Sequence, residues 1–440
     1  MSSSTGDEKS LTYSGKDADE QRRADALIDK EAINDQTVSA QLDTLRSIKG
    51  DVLDEGGARF SDVVSSPDLL DGLTDMGWDV MSKVQAQAAP RVLEGRDVVV
   101  RSLNGTGKTA SFLIPVLDSI DVDSPTLQAL VVLPTYILSN QTFDVAREMG
   151  RNIPGLNMMV VRPPEECSLE ELLEEAQDIH VIFCCPGRII AMFRKDPYLF
   201  ESLRLVVFDE ADALFGENFY EQSKQLLAFV PSTCHRVFAS ATYPLKMFEF
   251  VKTYMKDPVF VDPYQIRAGQ KIPVPDGLSQ FYVFLEEKKK ILALRALFSR
   301  VDVTKCIIFC SSVRRVALVK DILDQMKYPC VCFFRNKDDP DFEKNLKLFR
   351  RNPKIKYLVT SDIAARGIDI PSVNVVVQFD FTPSPYTYLH RAGRAVRFGQ
   401  VGISITFVTD RQQKDFLKLA SQFDKPIEHF PKEVDVSLYK

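Results

Sequence analysis

Apolar residues in this chain fall into short unbroken runs, and between the runs they recur every three or four positions. An unbroken run flanked by polar residues predicts a strand buried on both faces, whereas the longer spacing predicts a helix with one apolar stripe. From residue 60 the runs lie at 97–101, 129–133, 158–161, 180–184, 205–208 and 236–239, with helical patterns at 68–76, at 84–93 and between the later runs. Residues 263–277, PYQIRAGQKIPVPDG, are rich in Pro and Gly and carry no periodic apolar face, so they read as a linker. Beyond them the alternation restarts, with runs at 306–310, 330–334, 357–360, 373–379 and 402–407. Strand and helix alternating twice over predict an α/β chain of two tandem domains, each a parallel sheet with helices on both faces. The expected division is a polar, disordered arm over 1–56, a first domain over 57–263, a linker over 264–277 and a second domain over 278–440.

Composition narrows the class. With 440 residues the chain can bury two cores, and 45% hydrophobic with 26% charged residues is ordinary for a folded soluble protein. No apolar run approaches the roughly 18 residues of a membrane span, and the opening MSSSTGDEKS lacks the basic and apolar regions of a secretion signal. The expectation is a cytoplasmic protein with no membrane partner. Eight cysteines, mostly in or beside apolar runs and without a CxxC pair, read as buried free thiols rather than a zinc site. A net charge of −6 argues against coating nucleic acid by bulk electrostatics and leaves room for a local basic groove.

The chemistry gathers where apolar runs end. The run at 205–208 leads straight into Asp209, Glu210 and Asp212, in VVFDEADAL. Alone, these acids could be a solvated first helical turn. They gain meaning from SLNGTGKT over 102–109, which follows another strand and opens a helix. There Gly105 and Gly107 let backbone N–H groups turn toward phosphate, Lys108 reaches the β and γ phosphates, and Thr109 can ligate Mg2+. Asp209 would then hold Mg2+ through water and Glu210 would polarise the attacking water, the positioning and neutralisation that phosphoryl transfer from ATP requires. In the second half, HRAGRAVR over 390–397 spaces three arginines by threes, so a helix would present them on roughly one face as arginine fingers. Two half-sites that must meet would make ATP a switch for domain closure.

With these blocks in order, the chain resembles the DEAD-box RNA helicases from about residue 60 to its end. The resemblance implies two RecA-like domains, an ATP- and Mg2+-dependent ATPase, and a single-stranded RNA partner gripped without base preference. It implies that Phe60, Trp78 and Gln85 read adenine, that Asn104, Gly105, Thr106, Gly107, Lys108 and Thr109 hold the phosphates, and that Asp369 contacts the nucleotide. Arg394 and Arg397 become the fingers. RNA contact or coupling falls to Pro134, Thr135, Pro186, Gly187, Arg188, Ser240, Thr242, Arg366, Gly367, His390 and Arg391.

NGTGKT, LFSRVDVTKCIIFCSS, RGIDIPSVNVVVQFDF and PKEVDVSLY are similar to the cytoplasmic subgroup that represses translation and promotes mRNA decapping. That similarity implies partners among deadenylase-scaffold and decapping or repression proteins, and residence in RNP granules.

Departures from the family fall on the RNA side. Tyr136, Ile137 and Leu138 stand where Arg-Glu-Leu is usual, RPPEE over 162–166 replaces paired glycines, Cys185 replaces Thr, and Asp339 and Phe342 replace the Gln and Arg of Gln-x-x-Arg. Met81 replaces the usual Pro of the adenine segment. Phosphate contacts supply most of the affinity for single strands, so the expectation is a competent ATP site with weakened RNA engagement. The rival expectation is an RNP scaffold that acts mainly through protein partners.

Overall fold

The computed structural model describes residues 57–102, 106–242, 245–263, 271–275, 277–333, 342–362, 373–396 and 401–439. The expected N-terminal arm and part of the expected linker lie outside the described residues.

Two seven-stranded sheets, each with parallel pairing throughout, carry the fold. The first uses β1 (Val98–Arg101), β2 (Ala129–Val132), β3 (Met158–Val160), β4 (Val181–Cys184), β5 (Leu205–Asp209), β6 (His235–Ser240) and β7 (Val259–Val261), in the order β3-β4-β2-β5-β6-β1-β7. The second uses β8 (Leu278–Phe284), β9 (Cys306–Cys310), β10 (Cys330–Phe333), β11 (Tyr357–Ser361), β12 (Val375–Gln378), β13 (Gly402–Val408) and β14 (Glu428–His429), in the order β10-β11-β9-β12-β13-β8-β14.

The unbroken apolar runs become central strands because both faces of each sheet are covered. Along β1, Val99 packs into the cluster on one face while Val98 and Val100 enter the cluster on the other. Along β9, Ile307 and Phe309 face one way and Cys306, Ile308 and Cys310 the other. Burial of this kind stabilises by roughly 1.5–3 kcal/mol per large aliphatic or aromatic side chain, and it leaves no polar alternation to read. All eight cysteines are free, and all but Cys330 are buried.

Three strands escape a reading by apolar runs. β7 has only three residues, with Phe260 exposed; β8 is half exposed over its second half; both residues of β14 are exposed. These lie at or next to a sheet edge, where one covering layer is missing. No helix among the described residues is long and apolar enough to cross a membrane.

The order β5-β6-β1 decides where the chemistry sits. Parallel strands deliver their following loops to the same sheet edge, and the acidic segment, Ser240–Thr242 and the phosphate loop follow three adjacent strands. The Ser102 N–H donates to the Ser240 carbonyl at 3.2 Å, tying the end of β1 to the end of β6.

Candidate nucleotide and coupling site

β1 ends in the phosphate loop, of which Thr106, Gly107, Lys108 and Thr109 are described, and the helix Lys108–Asp118 begins there. Gly107 sits at φ +89, a left-handed turn in which a side chain is strained. A Cβ on it would lie 2.6 Å from Nε2 of Gln85 and 3.0 Å from Oγ of Ser82. The loop is closed by contact between the Ser102 and Thr106 hydroxyls, which gives the Ser at the loop's first position a structural role. Lys108 is 7% exposed, and its Nζ has no hydrogen-bond partner among the described residues. A buried ammonium without an acceptor is costly, and a phosphate oxygen is the acceptor this geometry lacks.

Gln85 is occupied locally. Its Oε1 accepts from the Ser82 N–H at 2.8 Å and its Nε2 donates to the Gly107 carbonyl at 3.2 Å, so it caps the helix Lys83–Leu93 and braces the phosphate loop. Phe60, 3% exposed, stacks on half-buried Trp78 with centroids 6.4 Å apart, which fixes the segment flanking Gln85.

At the end of β5, Asp209 is 4% exposed and accepts from the Glu210 N–H at 2.9 Å. Burial pushes its carboxyl up to about 7, against the nearby Lys108 charge, which lowers it. A carboxylate so poorly solvated suits a cation, and the hard oxygens of Asp209 and Thr109 are of the kind that would suit a divalent ion and its waters. Glu210 has φ 51 and ψ 46, left-handed for a residue with a side chain. Such backbone strain, of order 1–3 kcal/mol, is found where a side chain is aimed for use.

Asp212 is the hub. Its Oδ1 accepts from Ser240 Oγ at 2.9 Å and its Oδ2 from Thr242 Oγ1 at 2.8 Å, while the Thr242 N–H donates to Ser240 Oγ at 3.1 Å. His390, from the second domain, places Nε2 3.3 Å from Asp212 Oδ2. Burial alone would raise the Asp212 carboxyl, but the hydrogen bonds from His390, Thr242 and Ser240 hold it well below the usual carboxylate range. Ligating atoms of Glu210, Asp212 and His390 lie within 4.8 Å of one another. Asp212 was visible in the sequence as one of three acids, but only the fold gives it this role.

Arg391 and Arg394 do not share one α-helical face. The helix Pro385–Ala392 ends before Arg394, which stands half-buried in a 3-10 turn, Gly393–Ala395. Arg391 turns inward, 3% exposed. Its Nε and Nη2 donate to both oxygens of Asp362, at 2.5 and 2.7 Å, and its Nη1 donates to the Asp380 carbonyl at 2.6 Å. A fork matched to a carboxylate explains the inward turn. Gly402, at the start of β13, lies against the turn so closely that a Cβ would be 2.1 Å from the Ala395 carbonyl oxygen.

Of the residues expected to meet RNA, Thr135 caps the helix Tyr136–Met149 by accepting from the Leu138 N–H at 3.3 Å, next to buried Pro134. Pro186 and Gly187 open the helix Pro186–Lys195, and Arg188 donates to the carbonyls of Arg162 and Cys167. Asn104, Gly105, Arg366, Gly367, Asp369 and Arg397 lie outside the described residues.

Comparison with known proteins agrees with this arrangement. Residues 82–250 match the DEAD/DEAH box helicase family and residues 289–399 the helicase conserved C-terminal domain. The chain is 33% identical over 389 residues to DEAD-box ATP-dependent RNA helicase 8 of Arabidopsis thaliana, covering 88% of this chain and 75% of the relative. It is 36% identical over 391 residues to ATP-dependent RNA helicase DHH1 of Debaryomyces hansenii, covering 88% and 74%. Among solved structures, S. cerevisiae Dbp5 bound to RNA and ADP BeF3 superposes with a TM-score of 0.75 at 24% identity, over 84% of this chain and 95% of that one. Mss116p bound to ssRNA and AMP-PNP gives 0.73 at 20% identity, over 87% and 82%. At these identities the two structures establish the tandem RecA-like fold alone.

Proposed function

Because the chain belongs to the DEAD-box family of ATP-dependent RNA helicases, we propose that it closes its two domains on ATP around single-stranded RNA and releases the RNA after hydrolysis. The observation that carries this reading is the Asp212 hub, which joins the acidic segment, Ser240 and Thr242 to His390 across the cleft.

In the proposed cycle, Lys108 and the backbone around Gly107 bind the β and γ phosphates. Thr109 and Asp209 are the residues that would hold Mg2+, which would supply charge neutralisation at those phosphates. Glu210, aimed by its left-handed backbone, orients and polarises the attacking water. Arg394 and Arg397 stabilise the charge that develops on the transferred phosphoryl group. His390 senses the state of the Asp209 to Asp212 segment, and the Ser240 and Thr242 hydroxyls pass it to the RNA-facing loops. Phe60, Trp78 and Gln85 receive the adenine, with Gln85 exchanging its local partners for the base. Among the remaining assignments, Asn104, Gly105, Thr106 and Asp369 support the nucleotide, and Pro134, Thr135, Pro186, Gly187, Arg188, Arg366, Gly367 and Arg391 position the strand.

We further propose an mRNA-directed role in translational repression or decay, in the cytoplasm and its RNP granules, with deadenylase-scaffold and decapping or repression proteins as partners. Similarity to DHH1 proteins and the sequence blocks shared with that subgroup support this reading.

A scaffold with weakened RNA-coupled turnover is a second reading, and the first domain's RNA-side surface favours it. Tyr136 donates its hydroxyl to Glu166 at 3.3 Å, Arg162 pairs with Glu175, and Arg188 is turned onto backbone carbonyls. Cations of this face are thereby drawn away from phosphate, and carboxylates stand where glycine N–H groups would serve it.

Steady-state ATP hydrolysis with and without single-stranded RNA, beside Glu210→Gln, separates the two. RNA stimulation abolished by Glu210→Gln is the expected result; hydrolysis indifferent to RNA favours the scaffold.

A further inference from the structure

Ile137 lies in the first domain, yet its side chain packs against the hydrophobic cluster on one face of the second sheet. Its neighbour Leu138 packs into the first domain's own core. The two therefore point to opposite domains. Asp144, seven residues on in the same helix, lies near enough to Arg350 to feel its charge. Positions i and i+7 share a helix face, so one face of the helix Tyr136–Met149 is turned toward the second domain around the helix Phe342–Arg351.

The cluster that receives Ile137 contains Phe342, 3% exposed and tilted on Phe333 at a centroid distance of 4.3 Å, with Leu346 and Phe349 behind them. Ile137 and Phe342 are two of the positions where this chain departs from its family. Polar residues stand at both in the family pattern; here both are apolar and belong to one cluster spanning the two domains. A charged surface suited to phosphate is favourably solvated when phosphate is absent and gains little from meeting the other domain. An apolar contact holds two domains together without any ligand.

We infer that Ile137, seated on the Phe342 cluster, is a specificity-determining closure contact. It lets the domains close on nucleotide without RNA to bridge them, and it seals the strand-binding face at that point while they are closed. The inference rests on the helicase reading and adds to it a reason for altered RNA dependence. Partial burial of an isoleucine shifts a two-state equilibrium by about tenfold.

The experiment uses the full chain with one dye on each domain, reading energy transfer with a non-hydrolysable ATP analogue and with or without single-stranded RNA. Wild type is expected to close on the analogue alone. Ile137→Glu is expected to shift the ratio of closed to open molecules about tenfold or more toward open without RNA and to bind RNA several-fold more tightly. Ile137→Ala, the milder change, should move both quantities the same way by less, and decides the matter if the Glu variant fails to fold by circular dichroism. Wild type that stays open until RNA is added overturns the inference, as does a folded Ile137 variant that closes like wild type. Wild type that binds no analogue overturns the helicase reading instead. In that case the ligand-free proteins decide, the contact requiring Ile137→Ala to be more open than wild type and equal transfer refuting it.

Discussion

Nε2 of His390 and Oδ2 of Asp212 lie 3.3 Å apart, and they come from different domains. The same carboxylate is held by Ser240 and Thr242, so one side chain of the first domain is shared between a local network and a residue of the second domain. In the proposed cycle, hydrolysis and closure would thereby be read by one group.

Removing that cross-domain bond should cost coupling more than binding. His390→Ala is predicted to keep nucleotide affinity within about twofold and to lower RNA-stimulated turnover about tenfold or more, since a hydrogen bond to a charged group contributes ~1.5–3 kcal/mol. Fluorescent-nucleotide titration and steady-state hydrolysis check the two halves. Turnover equal to wild type would remove His390 from the mechanism.

Glu210→Gln keeps the size of the side chain and removes its charge. Turnover should fall by about 10²- to 10⁴-fold, the usual contribution of a positioned base, while ATP still binds. Lys108→Ala should behave oppositely, losing ATP affinity first, because its buried Nζ has no hydrogen-bond partner among the described residues and is the group proposed to meet the phosphates. Similar binding and turnover profiles for the two variants would contradict the separate roles.

Gly107→Ala places a methyl group 2.6 Å from Gln85 Nε2 at φ +89. ATP affinity is predicted to drop about tenfold, given a backbone penalty above ~1 kcal/mol. Adding Gln85→Ala should relieve the clash without recovering the affinity, because the backbone strain remains and the proposed adenine contact is lost. Full recovery in the double variant would show that the turn itself is unimportant.

Asp380 accepts from Lys290 at 2.8 Å, from Arg315 and from Ser311. Burial raises its carboxyl, but the Arg315 and Lys290 bonds win and hold it at about 2. A carboxyl depressed by folding stabilises fully above its unfolded value near 4 and loses that contribution as pH falls toward 2. Asp380→Asn should therefore cost ~2 kcal/mol or more at neutral pH. Denaturant titrations should show the gap from wild type narrowing between about pH 4 and the acid limit of folding. A gap independent of pH would assign the loss to packing.

The central strands were legible because burial on both faces writes an unbroken apolar run, as in β5 and β9. β7, β8 and β14 were not, because residues open to solvent break the run: Phe260 in β7, the second half of β8 and both residues of β14. Within the site, Lys108 and Glu210 could be located by motif, but the inward turn of Arg391 could not, since its cause is Asp362, directly after β11 and distant in sequence. Gln85 is intermediate. The Ser82-x-x-Gln85 spacing of a capping box was present in the sequence and signals its bond to the Ser82 N–H. Its second bond, to the Gly107 carbonyl, depends on the fold bringing the phosphate loop alongside.

Gly402 gives the second domain a mechanical property. Since β13 begins in close backbone contact with the turn carrying Arg394, that turn has no slack relative to the sheet and travels with it as one rigid piece. On the proposed assignment of Arg394, its arrival at the phosphates would be set by the angle between the two sheets, and hydrolysis would be timed by rotation of a whole domain rather than by the swing of a single side chain.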